Sequence, residues 1–291
     1  MTVPARVGVL GGGRMGGGIA HAFLLAGADV VVVDQPEFLD RAGDGIRTAL
    51  DRSVARGSTE LGRDALEGAL TVTADRDAFA DRALVVEAVP ELPELKTEAL
   101  TGVERLLGPD AVLASNTSSL SIDDLAAHLA RPESFLGLHF FNPVPASSLV
   151  EVVRGAATSD DLVTRAQDWV RDLGKTPVTV TDSPGFASSR LGVAIALEAI
   201  RMVEEGVATA ADIDAAMELG YRHQTGPLRT TDLVGLDVRL DIAEYLASRL
   251  GSRFEPPQLL RDLVARGHLG KKTGQGFFAW DSDAPTGRQD P

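Results

Sequence analysis

Apolar residues in the first part of the chain fall into short runs, separated by longer stretches in which apolar and polar positions alternate with helical spacing. The first segments are an apolar run at 7–10, an amphipathic stretch at 19–25 and a second apolar run at 30–33. Short apolar runs are typical of strands buried on both faces, and longer amphipathic stretches are typical of helices. The chain is therefore predicted to begin as strand, helix, strand.

The alternation continues to about residue 182. Further strands are predicted at 70–72, 83–89, 111–115, 135–141, 149–153 and 177–180. Helices are predicted between them at 35–56, 64–70, 93–107 and 159–173. Strands that alternate with helices indicate a mostly parallel sheet covered by helices on both faces.

The pattern changes after the turn at Ser183, Pro184 and Gly185. Only helices are predicted beyond it, at 191–205, 210–219, 231–250 and 257–265. The predicted fold class is therefore α/β, with a Rossmann-type doubly wound sheet domain at 1–183 followed by an all-helical C-terminal domain at 184–291. The polar tail at 281–291 is expected to be loosely held.

A glycine-rich loop joins the first strand to the first helix. In the sequence GGGRMG, Gly11 permits a tight turn, Gly13 lets a pyrophosphate approach the backbone, and Gly16 lets the helix pack close to the sheet. Asp34 ends the second strand, where a carboxylate can accept hydrogen bonds from ribose hydroxyls and would repel a 2′-phosphate. The unit therefore predicts NAD in preference to NADP; the alternative is an ordinary α/β turn with a capping acid.

Composition narrows the classes of function. The chain has 291 residues, a formal charge of −14, no cysteine and five histidines that lack ligand-like spacing. The negative charge argues against nucleic acid or an anionic membrane as a partner, and the absence of cysteine excludes disulfides and thiolate metal sites. Because no leader and no membrane-spanning run is recognised, a cytoplasmic enzyme without a metal is expected, and an anionic substrate would need a local basic cluster.

Polar residues at the ends of predicted strands are candidates for chemistry, because ligands gather at the carboxyl ends of parallel strands. His139 is the best candidate for a general base, and Glu151, inside an apolar stretch of the next strand, could fix its tautomer. The alternative, a core histidine bonded to a backbone carbonyl with Glu151 on a solvated edge, is equally compatible with the spacing. Ser121 is the better helix cap, which leaves Ser118 for a substrate oxygen.

A basic, glycine-rich loop lies near the C-terminus at 271–276, with the sequence KKTGQG. Its lysines could bind a phosphate or a carboxylate. A solvated turn is the commoner fate of such charges, and the sequence leaves both interpretations open.

Taken together, the motifs resemble the short-chain L-3-hydroxyacyl-CoA dehydrogenase family, including 3-hydroxybutyryl-CoA dehydrogenase. The resemblance extends over about residues 5–280 and is carried by GGGRMGGGIA, VVEAVPE, ASNTSSLSI, GLHFFNPVP, LVEVV, DSPGF, GPLRTTDLVGLD and LGKKTGQGFFAW. It implies NAD-linked interconversion of a 3-hydroxyacyl-CoA and a 3-ketoacyl-CoA. It also implies that the second domain forms the wall of the substrate cleft and a homodimer interface.

The resemblance assigns roles to individual residues. His139 would be the base, Glu151 would orient it, and Ser118 would bind the substrate oxygen. The residues expected to bind the cofactor are Gly11, Gly13, Met15, Gly16, Asp34, Glu91, Lys96, Asn116, Ser118, Asn142 and Lys272.

The chain departs from the family at one position expected to hold the substrate. Ser189 stands where the family pattern, Pro-Gly-Phe-x-x-Asn-Arg, has asparagine. Its hydroxyl is a donor on a shorter side chain, so a bridging water would be needed, or the substrate differs. Another 3-hydroxy acid, or a hydroxyacyl group on an acyl-carrier protein, therefore stays open as the substrate. A non-catalytic dinucleotide-binding protein is the alternative from another class.

Overall fold

A computed structural model describes residues 3–280 of the chain, so the predicted loose tail at 281–291 lies outside the described residues. The chain divides between Ser183 and Pro184 into two compact units. The first unit carries all the strands named below, and the second is built from helices. The predicted fold class, a Rossmann-type sheet domain followed by a helical domain, is confirmed.

The first unit alternates strands and helices as its sequence predicts. Its strands are β1 (Arg6–Leu10), β2 (Asp29–Val33), β3 (Leu70–Thr73), β4 (Leu84–Glu87), β5 (Val112–Ser115), β6 (Phe135–Phe140), β7 (Leu149–Arg154) and β8 (Thr176–Thr181). Its helices are α1 (Arg14–Leu25), α2 (Leu39–Ala55), α3 (Arg63–Gly68), α4 (Pro93–Glu104), α5 (Ile122–Ala126) and α6 (Asp160–Asp172). Short 3-10 turns lie at Pro36–Phe38, Arg76–Phe79 and Pro132–Ser134.

The eight strands form one sheet in the order β3-β2-β1-β4-β5-β6-β7-β8. All neighbours are parallel except β6 and β7, which run antiparallel. The order reverses between β1 and β4, and ligands bind at such a switch point beyond the carboxyl ends of the strands. β4 is buried along its whole length, as its continuous apolar run predicts.

The core of the first unit lies on both faces of the sheet. Val9, Val32 and Val86, from three neighbouring strands, are fully buried, and Phe23 of α1 packs into the same cluster. Ser121 caps α5, because its Oγ accepts a hydrogen bond from the Asp124 N–H at 3.0 Å. The preference for Ser121 over Ser118 as the helix cap is therefore confirmed.

The second unit contains α7 (Ser188–Glu204), α8 (Ala210–Ala215), α9 (Pro227–Val234), α10 (Leu236–Leu250) and α11 (Gln258–Ala265). A π-helical turn, Ala216–Gly220, continues α8, and 3-10 turns lie at Ser252–Phe254 and Lys271–Thr273. Its separate core includes the fully buried Leu197, Leu228 and Leu246. Within residues 3–280, no helix has the length and apolar character needed to cross a membrane.

The single helix predicted over 231–250 is wrong. Gly235 has a φ of +109° and separates α9 from α10. Helix α9 also begins earlier than predicted, at Pro227, because the carboxylate of Asp214 accepts hydrogen bonds from the N–H groups of Leu228 and Arg229, both at 2.8 Å. Such capping from a distant helix stabilises unpaired N–H groups but leaves no local sequence pattern.

Candidate active site

Close approaches of the backbone shape the loop after β1. Gly11 has a φ of +94°, and a Cβ added to Gly16 would lie 1.7 Å from the carbonyl oxygen of Gly11. Only glycine fits both positions. Gly13 differs, because among the described residues no atom outside its chain neighbours lies within 4 Å of a Cβ added there. The backbone at Gly13 is therefore open to a ligand.

Asp34, at the end of β2, reaches the same loop. Its Oδ2 accepts a hydrogen bond from the Gly12 N–H at 2.6 Å, and its Oδ1 accepts one from the Gln35 N–H at 2.7 Å. These two bonds fix a half-buried carboxylate at the rim of the loop. An acceptor in this position suits ribose hydroxyls and disfavours a phosphate in their place.

The N-terminus of α1 fits the phosphates of a dinucleotide. Its first turn has no side-chain cap and no acidic residue, so the N–H groups and the positive end of the helix dipole can act on an anion. Met15 lies in this turn and packs against the core. The open backbone at Gly13, the helix start and the Asp34 carboxylate together fit a dinucleotide such as NAD.

A buried ionic network lies at the carboxyl ends of β4 and β5. The carboxylate of Glu87, fully buried, accepts hydrogen bonds from Lys96 Nζ at 2.7 Å, Val89 N–H at 2.7 Å and Ser115 Oγ at 2.6 Å. Lys96 Nζ also donates to the Val89 carbonyl oxygen at 3.1 Å and lies 3.2 Å from Glu91 Oε2. Three acceptors therefore surround this buried ammonium group.

Glu91 holds the turn that follows β5. Its Oε1 accepts hydrogen bonds from Thr117 Oγ1 at 2.6 Å, from the Ser118 N–H at 2.8 Å and from the Ser119 N–H at 3.1 Å. Burial acts to raise the pKa of Glu91, but the charge of Lys96 and these hydrogen bonds outweigh it, so the pKa lies below its ordinary value. Glu91 is thus an anion that shapes the loop carrying Ser118.

Asn116, Ser118 and Asn142 have different surroundings. Asn116 Oδ1 accepts a hydrogen bond from the Phe140 N–H at 2.9 Å, so its amide N–H groups are directed elsewhere. Among the described residues, Ser118 Oγ makes one long contact, with Glu91 Oε1 at 3.3 Å, which a better acceptor could replace. Asn142 is exposed and precedes a cis peptide bond to Pro143, two residues after the end of β6.

His139 and Glu151 face each other across β6 and β7. They are directly paired in the antiparallel register, and His139 Nδ1 lies 2.8 Å from Glu151 Oε2. His139 is 6% exposed and Glu151 1% exposed. A carboxylate can only accept, so Nδ1 carries the proton and Nε2 of the neutral ring carries the lone pair. The ring of Phe141 lies 4.4 Å from that of His139 and shields it further.

The alternative that places Glu151 on a solvated edge is wrong. Strand β7 lies between β6 and β8, so both of its edges are paired. A buried carboxylate inside an apolar strand needs a partner, and His139 supplies one. The sequence alone could not decide between the two interpretations, because it does not show that β6 and β7 pair antiparallel with His139 opposite Glu151.

The second unit holds the two remaining candidates, Ser189 and Lys272. Ser189 lies in the first turn of α7 and is half-buried. Lys272 Nζ donates to both carboxylate oxygens of Asp237, at 2.6 Å and 2.5 Å. Burial acts to raise the pKa of Asp237, but the bond from Lys272 outweighs it and the pKa lies below its ordinary value. The side chain of Lys272 is therefore held by an ion pair within its own unit.

Sequence reasoning missed Asp232, which organises the basic loop. This buried carboxylate accepts hydrogen bonds from the Phe277 N–H and the Phe278 N–H, both at 2.9 Å, and from Trp280 Nε1 at 2.7 Å. A Cβ on Gly276 would lie 2.2 Å from Asp232 Oδ1. An acid followed some forty residues later by an aromatic, glycine-rich stretch is the signal that was available in the sequence.

Metal ligands are not grouped in the described part of the chain: residues 3–280 contain no set of three or more histidine, cysteine, aspartate or glutamate side chains placed to hold one ion. The described chemistry rests on hydrogen bonds and on the histidine–glutamate pair.

Both units match models of known protein families. The model of the 3-hydroxyacyl-CoA dehydrogenase NAD binding domain matches residues 6–183. The model of the 3-hydroxyacyl-CoA dehydrogenase C-terminal domain matches residues 185–280. The two matches together span nearly all of the described residues.

Individual relatives are similar over almost their whole length. The 3-hydroxybutyryl-CoA dehydrogenase of Mycobacterium tuberculosis is 45% identical over 280 residues, which cover 94% of this chain and 98% of the relative. Among solved structures, FadB2 of M. tuberculosis has a TM-score of 0.91 at 43% identity, with 96% of this chain and 99% of that one covered. The (S)-3-hydroxybutyryl-CoA dehydrogenase PaaH1 of Ralstonia eutropha has a TM-score of 0.90 at 36% identity, with 96% and 100% covered.

Proposed function

The chain belongs to the 3-hydroxyacyl-CoA dehydrogenase family, and we propose that it interconverts (S)-3-hydroxybutyryl-CoA and acetoacetyl-CoA with NAD. The single observation that carries the proposal is the buried pair of His139 and Glu151, whose hydrogen bond at Nδ1 makes Nε2 the basic nitrogen of the neutral ring. A dehydrogenase needs such a base, because the hydroxyl proton must leave as the C3 carbon is oxidised.

His139 is the general base of this proposal. Its Nε2 takes the proton of the C3 hydroxyl, and the ring becomes an imidazolium that donates from both nitrogens. Glu151 stabilises that cation through the bond to Nδ1, in a site from which water is largely excluded. In the opposite direction the imidazolium returns the proton to the oxygen of the ketone, so the same pair serves both directions.

NAD, when bound, accepts the hydride that leaves C3. The loop residues Gly11 and Gly13, the start of α1 with Met15 and Gly16, and the Asp34 carboxylate would hold it. Their open backbone and fixed carboxylate support this role.

The remaining site residues have narrower roles in the proposal. Ser118 donates to the substrate oxygen, and its weak 3.3 Å contact with Glu91 leaves it available for that bond. Asn116 and Asn142 offer amide groups to the cofactor. Glu91 and Lys96 serve the ribose and nicotinamide region of the cofactor, and Glu91 also holds the turn that carries Ser118.

The second unit contributes Ser189 and Lys272 in the same proposal, Ser189 toward the substrate carbonyl and Lys272 toward the cofactor. We assign self-association to this unit as well. It exposes the large apolar side chains of Leu191, Leu219 and Tyr221, at 62%, 84% and 75% of their area. Exposed apolar surface of this kind is typical of protein interfaces. A cytoplasmic location stays a prediction from the sequence.

Replacement of His139 tests the proposal. We expect His139→Ala to bind NAD with unchanged affinity and to lose about 10²–10⁴-fold in kcat with 3-hydroxybutyryl-CoA, the contribution of a general base. Binding is measured by titration of the nicotinamide absorbance or fluorescence, and turnover by the rate of NADH formation. Added imidazole should restore part of the lost turnover, because the deleted ring leaves room for it.

His128→Ala is the matched control, since this histidine lies on the surface of the same unit. It should retain the activity of the unmodified enzyme. Near-full turnover of His139→Ala would contradict the assignment of the base. Absence of any NADH formation by the unmodified enzyme with acyl chains of four to ten carbons would contradict the proposed reaction itself.

A further inference from the structure

A buried arginine in the second unit has no counter-ion within the described part of the chain. Arg239, on α10, is 6% exposed, and its Nε has no hydrogen-bond partner among residues 3–280. Among residues 3–280, no carboxylate lies within ion-pair distance of its guanidinium group. Burial lowers the pKa of Arg239 to about 10. The group is therefore a cation at neutral pH, and its Nε is buried without a hydrogen-bond partner among the described residues.

Three carboxylates of the second unit are engaged with other partners. Asp237, two residues earlier, is bonded to Lys272, and Asp232 accepts three N–H groups of the basic loop. Asp214 caps the start of α9. Each of these three acids would lose its own partners by turning to Arg239, so none of them serves as its counter-charge.

The guanidinium group lines a cavity of about 130 Å³. The other lining residues are Gly192, Ile195, His223, Thr225, Pro227 and Thr230. Gly192 of α7 lies beside the charge, since a Cβ added there would be in ordinary van der Waals contact with Arg239 Nη1, at 3.7 Å. A cavity of about 150 Å³ is known to hold benzene, so this one is large enough for a group of a few heavy atoms.

The lining is suited to a carboxylate. The guanidinium fork matches two carboxylate oxygens, and the hydroxyls of Thr225 and Thr230, both half-buried, are additional donors. Burying an uncompensated charge is costly, and an apolar side chain would fill the space without that cost. An anion in the cavity would supply the missing counter-charge, in a protein whose overall charge of −14 repels anions elsewhere.

We propose that the cavity at Arg239 is a binding site for the carboxylate of a small organic anion. Two sources supply that chemistry: the far end of an acyl chain that terminates in a carboxylate, or a free dicarboxylate. The first source rests on the proposed function, in which Ser189 contacts the substrate carbonyl. Ser189, Gly192 and Ile195 follow one another at three-residue spacing on one face of α7, so the cavity begins one helical turn from Ser189.

The binding arm of the test uses Arg239→Met, which keeps a long apolar stem and removes the charge. In buffer without added carboxylate, this variant should unfold at a higher temperature than the unmodified protein, because an uncompensated buried charge is gone. Glutarate should raise the unfolding temperature of the unmodified protein and leave that of Arg239→Met unchanged. Arg266→Met, which alters an exposed arginine of the same unit, should respond to glutarate as the unmodified protein does.

The catalytic arm compares two substrates of equal length, 3-hydroxyhexanoyl-CoA and 3-hydroxyadipyl-CoA, which end in a methyl group and a carboxylate. If the acyl chain supplies the carboxylate, Arg239→Met should lower the ratio of kcat/KM for the adipyl over the hexanoyl substrate by about 10–100-fold, the range for a hydrogen bond to a charged group. Activity on the methyl-ended substrate should stay unchanged.

The outcomes distinguish the acyl chain from a free dicarboxylate as the source of the carboxylate. They also distinguish failure of this proposal from failure of the proposed function. A changed substrate ratio identifies the acyl chain, and a glutarate response with an unchanged ratio identifies a free dicarboxylate. Failure of the proposed function, seen as no activity on any 3-hydroxyacyl-CoA, leaves the glutarate arm intact. The proposal is overturned if neither response depends on Arg239. It is also overturned if light scattering shows that Arg239→Met dissociates a dimer, since a second copy of the chain then supplies the carboxylate.

Discussion

Glu151 decides which nitrogen of His139 can take a proton. The carboxylate accepts from Nδ1–H at 2.8 Å, and both groups are almost fully buried, so water cannot substitute for either. An amide in place of the carboxylate can present its NH₂ group to Nδ1. The ring proton would then move to Nε2, where it blocks acceptance of the substrate proton.

We therefore expect Glu151→Gln to lower kcat by about 10²–10⁴-fold, as the loss of an orienting carboxylate does in other catalytic histidine sites. The dissociation constant for NAD should stay unchanged, because Glu151 contacts the base and not the glycine loop. Steady-state rates together with NAD titrations measure both quantities. Glu133→Gln, which removes an exposed acid of the same unit, is the control for loss of charge. Equal loss of NAD affinity and turnover would indicate a structural role instead.

At the scale of elements, two glycines of the glycine-rich loop have different functions, one in packing and one in ligand approach. Gly16 serves packing, since its Cβ would collide with the Gly11 carbonyl oxygen at 1.7 Å. Gly13 serves ligand approach, since a Cβ added there meets no described atom within 4 Å. The two glycines should therefore respond differently to the same substitution.

Gly16→Ala should destabilise the protein by about 1–3 kcal/mol, the cost of overpacking against backbone. Gly13→Ala should unfold within about 0.5 kcal/mol of the unmodified protein, as surface substitutions do. Its affinity for NAD should nevertheless fall on the order of tenfold, or about 1.4 kcal/mol. Urea unfolding and NAD titration of both variants give the comparison. Gly13→Ala with full NAD affinity would show that no phosphate lies against this part of the loop.

Local pattern predicted the elements well where the signal lies within the element. The apolar runs of β1, β2 and β4 and the Ser121 cap of α5 could be predicted because burial and capping leave their mark on adjacent residues. The break at Gly235 could not, since a lone glycine is tolerated inside many helices. The antiparallel direction of β7 was also hidden, because alternating and continuous apolar runs carry no direction.

The features of the site that the sequence did not predict depend on contacts between distant residues. The pairing of His139 with Glu151 could be suggested as a candidate, but the choice between it and a solvated edge needed the register of β6 and β7. The three acceptors that engage Lys96 are Glu87, Val89 and Glu91, which alternate along one short segment, but that spacing alone does not indicate that a lysine lies against them. The charged cavity at Arg239 joins residues up to forty-seven positions apart, since Gly192 and Arg239 both line it, and no local pattern indicates that they meet.

At the scale of the whole molecule, the pH dependence of stability follows from groups whose pKa the fold changes. His21, on α1, is buried and exchanges a hydrogen bond with Ser53 on α2, with 2.9 Å between Nε2 and Oγ. Burial lowers the pKa of His21 below its ordinary 6.5, and the positive charge of Lys175 lowers it further. The folded protein therefore binds this proton less readily than the unfolded chain, and acidification through pH 6.5 favours unfolding.

Carboxylates change the free energy of unfolding either at a lower pH than His21 does or in the opposite direction. The pKa values of Glu91 and Asp237 lie below their ordinary 4.5 and 3.8, so the stability that these acids contribute is lost only as the pH falls below that range. Burial raises the pKa values of Asp214 and Asp241, and protonation of these two acids stabilises the folded state on acidification. A variant at His21 therefore separates the contribution of this histidine to the pH dependence of stability from the contributions of the carboxylates.

We expect the free energy of unfolding to fall between about pH 7.5 and about pH 5.5, and His21→Gln to show a smaller fall. Glutamine can keep a hydrogen bond to Ser53 but cannot take up a proton, so the difference between the two proteins should grow as the pH decreases. Urea unfolding at several pH values measures the two slopes. His268→Gln, which alters a half-buried histidine of the second unit, serves as the matched control. Equal slopes for His21→Gln and the unmodified protein would show that His21 titrates alike in the folded and unfolded states, which a buried ring beside Lys175 should prevent.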